Sequence, residues 1–193
     1  QGARRLKGYV DSVPKFAKAM HVPRPNRRKQ RLRQGLTTAL LFVFAGSPCF
    51  TMQTQVQGKE GTTSYKRFFF DGKGQPLSPW HDVPLRDEGE FTMVTEIPKM
   101  TRPKMEIATT MPLNPIVQDT KLGELREYHG PIFWNYGYLP QTWEDPTVEH
   151  PELRVFGDND PLDVVEIGTQ PHLQGTVLRV KVLGALAMID DGE

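Results

Sequence analysis

The stretch Phe156-Gly157-Asp158-Asn159-Asp160-Pro161-Leu162-Asp163-Val164-Val165-Glu166-Ile167-Gly168 decides how the rest of the chain is read. Asp158, Asp160 and Asp163 stand at positions i, i+2 and i+5. On a strand, residues i and i+2 share a face. Pro161 has no N–H to give to a ladder, so it ends or kinks that strand. The bend turns Asp163 back toward the first two carboxylates. The apolar residues Leu162, Val164, Val165 and Ile167 then form a short buried strand on the far side. Three carboxylates held this close repel one another. A hard divalent cation that prefers oxygen ligands, commonly Mg²⁺ inside cells, relieves the repulsion.

A Gly-Asp-Asn-Asp-Pro string also suits a solvated surface turn. A calcium loop of the EF-hand type needs Gly at its sixth position and a bidentate Glu at its twelfth. Counted from Asp158 those positions hold Asp163 and Thr169, so the calcium loop is a poor match.

A chain of 193 residues suits one domain, with or without a tail. Its net charge of +1 hides an uneven layout. Residues 1–34 carry 11 Lys and Arg against one acid, Asp11, while the remainder carries 13 basic and 22 acidic residues. An acidic body argues against nucleic acid as the main partner and fits a protein that holds cations. A single cysteine, Cys49, excludes an internal disulfide framework and a cysteine-rich zinc site. His21, His81, His129, His150 and His172 are scattered without metal-ligand spacing.

The basic opening runs into the apolar stretch Leu36–Ser47, too short for a transmembrane helix. A basic region, a short apolar run and the small residues Ala45-Gly46-Ser47 together make a targeting pattern, with Met20 as a candidate start. Residues 51–63 are rich in Gly, Thr and Gln and read as a linker. The expectation is therefore a disordered targeting and linker segment over 1–63 and a folded domain over 64–193. Within that domain, strands are expected at Tyr65–Phe70, Phe91–Ile97, Lys104–Ala108, Glu124–Arg126, Leu162–Ile167 and Thr176–Val182. The last is followed by a bulge or corner at Gly184 and by a continuation over Ala185–Ile189. Residues 110–121 read as loop, and Trp134–Trp143 as an aromatic, turn-rich segment. Short strands punctuated by Gly and Pro, without a long amphipathic helix, predict a mainly β fold, a small barrel or sandwich.

Glu96, Lys104, Glu106, Arg126 and Tyr136 fall at strand ends or on polar strand faces, and Asp190 ends an apolar strand. Taken singly, Lys104, Glu106 and Arg126 suit a solvated surface. Brought together on one face, carboxylates for cations and Lys, Arg and Tyr for anionic oxygens make a set suited to phosphoryl transfer.

The segment Gly157-Asp-Asn-Asp-Pro-Leu-Asp163 resembles the D-x-D-P-x-D signature of the soluble, family I inorganic pyrophosphatases. Ordered blocks around it agree: Glu96-Ile-Pro98, Pro103-Lys104-Met-Glu106, Leu113-Asn-Pro-Ile116, Gln118-Asp-Thr120, Asn135-Tyr-Gly137, Leu139-Pro-Gln-Thr-Trp-Glu-Asp-Pro146 and Ala187-Met-Ile-Asp190. The resemblance runs from about Ser64 to Glu193, and Ser64–Leu85 is similar to the eukaryotic branch. It implies an OB-like five-stranded barrel whose open polar face hydrolyses inorganic diphosphate to two phosphates with Mg²⁺. It implies that Asp158, Asp163 and Asp190 serve the metals, with Glu106 holding metal-bound water. Asp160 then accepts the proton of the attacking water. Lys104, Arg126 and Tyr136 match phosphate-binding groups, and Glu96 matches an acid standing behind the metal ligands. A reading of another class, a non-catalytic metal- or phosphate-binding relic of the same fold, stays open at this point.

The chain departs from the pattern in two places. A tyrosine expected four residues before Tyr136 is Ile132, with Tyr128 a candidate to replace it. The chain also ends at Glu193, where the family continues with an Asp, a Lys, a later Tyr-Lys pair and a C-terminal helix. The sequence is thus read as a fragment: an unclosed barrel with the strand Val177–Ile189 as its exposed edge, expected to be poorly soluble and inactive as it stands. No stable membrane insertion and no nucleic acid are expected. The sequence is compatible with a homodimer, and the N-terminal segment favours a plastid over the cytoplasm.

Overall fold

A computed structural model describes residues 36–152 and 154–190. The basic segment over residues 1–35, to which the targeting expectation chiefly applied, lies outside the described residues. Every regular element among the described residues is a strand. In chain order these are β1 (Leu36–Phe50), β2 (Gln53–Gln57), β3 (Lys66–Phe70), β4 (Pro76–Leu77), β5 (Arg86–Asp87), β6 (Glu90–Ile97), β7 (Met105–Ile107), β8 (Ile116–Gln118), β9 (Thr120–Lys121), β10 (Glu124–Leu125), β11 (Asn135–Tyr138), β12 (Phe156–Gly157), β13 (Asp163–Glu166) and β14 (Val177–Asp190).

Five strands close into a ring. β11 pairs with β13, β13 with β1, β1 with β14, β14 with β6, and β6 with β11 again. The β1–β13 pair is parallel and the others in the ring are antiparallel. The ring's interior is filled by Leu41 and Val43 of β1, Met93 of β6, Val164 of β13, and Leu178 and Val180 of β14. Leu139 and Leu162 join them from the flanking loops. Burying each such side chain stabilises the fold by about 1.5–3 kcal/mol. Closure demands a close approach between β11 and β6. Gly137 permits it, because a Cβ there would overlap the Val94 carbonyl oxygen.

A second sheet, β2-β3-β8-β7 with β4 on the edge of β3, packs Phe69, Leu77 and Ile116 together. Between the two sheets lie Trp80, Val83, Val94, Ile107, Tyr138 and Val177.

Three expectations are corrected. Residues 36–57 were read as part of a disordered targeting and linker segment, but they form β1 and β2. Leu41 and Val43 are 2 % and 0 % exposed, so this stretch packs in the core. The apolar run that resembled a leader is apolar because it crosses the core. β2 escaped notice because its five side chains are all exposed and it is held to β3 by backbone pairing. The unclosed edge also disappears, since β14 pairs with β1 over nearly its whole length and with β6 over Val177–Val180. Finally, Ile116–Gln118 and Asn135–Tyr138, read as loop and turn, are strands β8 and β11. The bulge expected near Gly184 is present as a register shift between the Phe42–Gly184 and Val43–Val182 pairs.

Candidate active site

The three aspartates of the signature sit where β12 gives way to β13. They do not gather by strand alternation, because β12 ends at Gly157. The Asp160 N–H instead donates to Asp158 Oδ1 at 2.9 Å, which folds the i and i+2 residues into a tight Asx turn. Asn159 between them takes φ 77°, the left-handed conformation that Asn tolerates better than most residues. Asp163 opens β13, paired with Tyr138 of β11.

The turn leans on the segment Thr142–Asp145. Asn159 N–H donates to Glu144 O at 3.0 Å, Glu144 N–H donates to Asp160 O at 2.9 Å, and Leu162 N–H donates to Thr142 Oγ1 at 3.0 Å. A Cβ on Gly157 would collide with the Glu144 backbone, so the strand reaches this brace only as glycine.

Lys104 and Arg126 meet on a short ladder. Lys104 N–H donates to Arg126 O at 3.0 Å, and Tyr128 N–H donates to Arg102 O at 2.9 Å, on either side of the Pro103–Glu127 bridge. That register puts Lys104, Arg126 and Tyr128 on one face. Lys104 Nζ lies 2.8 Å from Asp119 Oδ2 and 3.0 Å from Glu106 Oε2, and Arg126 Nη1 lies 2.6 Å from the same Asp119 oxygen. The expected sharing of a face by Lys104 and Glu106 is therefore present. Asp119 is a residue that sequence reasoning missed. It stands 15 positions from Lys104, and only the β7–β8 pairing, with Met105 opposite Gln118, brings the two together.

The charges report one connected cluster. Burial pushes the Asp163 carboxyl up to about 7, opposed by a hydrogen bond from Tyr136 and reinforced by Asp158 and Asp160. Loss of solvent around its carboxyl, then the Asp158 charge, pushes Asp160 up to about 6. Burial, then Asp163, raises Glu96 well above the ordinary carboxyl range, although the Ile107 N–H donates to it at 2.6 Å. Burial, then Asp163, likewise raises the Tyr136 phenol, which stays protonated and donates to that carboxylate. Burial also raises Tyr128, with Lys104 and Arg126 pulling against it and Asp163 and Glu96 pushing with it. For Lys104 burial works downward, but Asp119 and Glu106 outweigh it and leave the ammonium above its ordinary range. Asp119 is the mirror image: burial works upward, and Lys104 and Arg126 hold it below.

Asp158, Asp160, Asp163, Glu96, Glu106, Lys104, Arg126 and Tyr136 thus form one neighbourhood. Ile132 does not belong to it, being 5 % exposed and bonded through its backbone to Met100 and Thr101. Asp190 ends β14 opposite Leu36, and Leu36 also pairs with Phe156. The backbone of Asp190 therefore lies at the same end of the ring as the signature. Among the described residues, no three His, Cys, Asp or Glu side chains converge closely enough to enclose one cation as they stand. The donor set nevertheless suits a hard dication. It offers only carboxylate oxygens, and the Asp158 charge helps raise Asp160 while both help raise Asp163, a cost that a bound cation removes.

The family model described as "Inorganic pyrophosphatase" matches residues 93–193. The chain belongs to the inorganic pyrophosphatase family. Among pyrophosphatases of known sequence, the soluble inorganic pyrophosphatase 6, chloroplastic, of Arabidopsis thaliana is 51% identical over 154 residues, covering 78% of this chain and 51% of that protein. The inorganic pyrophosphatase of Mus musculus is 52% identical over 139 residues, covering 68% and 48%. The crystal structure of the type I inorganic pyrophosphatase from Toxoplasma gondii superposes with a TM-score of 0.62 at 41% identity, over 68% of each chain. The ring of five strands is thus the pyrophosphatase fold. The chain spans about half the length of the curated pyrophosphatases it matches.

Proposed function

We propose that the protein hydrolyses inorganic diphosphate to two phosphates with Mg²⁺. The observation that carries this reading is the opposition, on one face, of the signature carboxylates to the Lys104–Asp119–Arg126 clasp. Asp158, Asp163, Asp190 and Glu106 are the groups that would hold Mg²⁺. When bound, such ions lower the pKa of coordinated water and neutralise phosphate charge. Asp160, at about 6, accepts a proton readily near neutral pH. Water adds to one phosphorus, its proton passes to Asp160, and the bridging P–O bond breaks with its electrons on the departing phosphate. Lys104 and Arg126 offset the charge of substrate and leaving group, and Tyr136, kept protonated, donates a hydrogen bond. Glu96, buried behind Asp163, steadies β7 through the Ile107 N–H.

The Arabidopsis relative bears the word chloroplastic in its name, which supports a plastid location for this protein as well. A fluorescent fusion of the natural N-terminus would test that. The activity is tested by phosphate release from diphosphate across a Mg²⁺ titration of the full-length protein. Saturable, Mg²⁺-dependent release is expected. Tight cation binding without hydrolysis would mean a non-catalytic cation-holding module and would sink the reading.

A further inference from the structure

We propose that Trp143 is a positioning residue that sets the turn carrying Asp158 and Asp160 by holding Asn159. The inference rests on the reading of those two aspartates as working groups in diphosphate hydrolysis.

The Trp143 indole N–H donates to Asn159 Oδ1 at 3.2 Å. Its ring is packed against the cluster of Trp80, Val83, Val94, Ile107, Tyr138 and Val177, between the two sheets. The donor is therefore fixed to the rigid part of the molecule. The acceptor belongs to the surface turn, an exposed residue at φ 77° between two carboxylates. A left-handed non-glycine residue persists only where its surroundings hold it there. Here backbone bonds to Glu144 hold Asn159 and Asp160 from below, and the indole holds the Asn159 side chain. Asp158 and Asp160 repel each other, and Asp158 Oδ1 is already committed to the Asp160 N–H. Nothing in that repulsion favours this geometry over a more open one. The bond from Trp143 to Asn159 adds a side-chain restraint to these backbone bonds, and together they set where Asp160 stands relative to Asp158. Neither Trp143 nor Asn159 needs to touch the substrate for this.

The test is a double-mutant cycle in the full-length protein. Trp143→Phe keeps an aromatic ring in the apolar seat and removes the N–H. Asn159→Gly keeps access to positive φ and removes the acceptor. Each single change is expected to lower kcat by roughly ten- to a hundredfold, with KM for diphosphate within about twofold, as misplacement of a reacting group does. The double variant should be no slower than the worse single one, because both remove one interaction. Independently of activity, amide hydrogen exchange of Asn159 and Asp160 should quicken in Trp143→Phe, while that of Val164 in the core stays as in the parent. Losses that multiply in the double variant, or unchanged exchange at Asn159 and Asp160, would overturn the proposal. A parent protein that does not hydrolyse diphosphate would overturn the functional reading instead, and the exchange measurement would still decide whether the indole holds the turn.

Discussion

Asp119 accepts from Lys104 and Arg126 through one oxygen, so a single carboxylate aims both cations of the site. Asp119→Asn keeps the shape and removes the charge. A charge-assisted hydrogen bond contributes on the order of 1.5 kcal/mol, so KM for diphosphate should rise about tenfold with a smaller change in kcat. An unchanged KM would show that the cations are placed by their own backbones. Asp160→Asn should lower hydrolysis by about 10²–10⁴-fold with the fold intact, and activity within twofold of the parent would remove Asp160 from its role. Asp158→Asn and Asp163→Asn should each raise the Mg²⁺ concentration for half-saturation, and an unshifted titration would exclude them as cation-holding groups. Most of these residues were legible in the sequence because motif spacing is a local property. Asp119 and the clasp on Asn159 were not, because each depends on a partner brought close only by strand register or by a loop folding back.

Strand β1 shows where sequence reading reaches its limit at the scale of the element. A short apolar run has the same pattern in a leader, a buried helix segment or a core strand, and periodicity alone does not separate them. What separates them here is a partner on each side, β13 and β14, both more than a hundred residues away in sequence. β2 was obscure for the opposite reason, since a polar edge strand held by backbone bonds resembles a linker. The β6 and β14 strands were legible because each alternates or runs apolar within its own length and ends at a clear break. Leu41→Ala should therefore cost about 2–5 kcal/mol in urea unfolding. No measurable loss would mean that β1 is dispensable and that the targeting reading of this segment was right.

For the molecule as a whole, the raised carboxyls make stability depend on pH. Asp160 and Asp163 hold protons more tightly in the folded state, at about 6 and about 7, than the ordinary carboxyl value near 4 of an unfolded chain. Their stabilising contribution is fully present below that ordinary value and is lost as pH rises through 6 and 7. Asp119, held low, acts in the other sense, and its contribution is lost only as pH falls below its ordinary range. The metal-free protein should thus have a lower urea midpoint at pH 8 than at pH 5, and Mg²⁺ should flatten the difference. A metal-free midpoint that rises over this interval would contradict the assignment. The pairing of β1 also bears on how the molecule comes into being. The Ala45 N–H meets the Glu166 carboxylate across 121 residues of sequence, so synthesis at about 5–20 residues per second leaves β1 waiting roughly 6–24 s for its partners. Throughout that interval Leu41, Val43 and their neighbours form an unpaired apolar strand on a nascent chain, the state most open to aggregation and to capture by chaperones. Contacts so distant in sequence also slow the search for the native ring. Yield in the cell should therefore depend more on how β1 is sheltered during translation than on the stability of the finished fold.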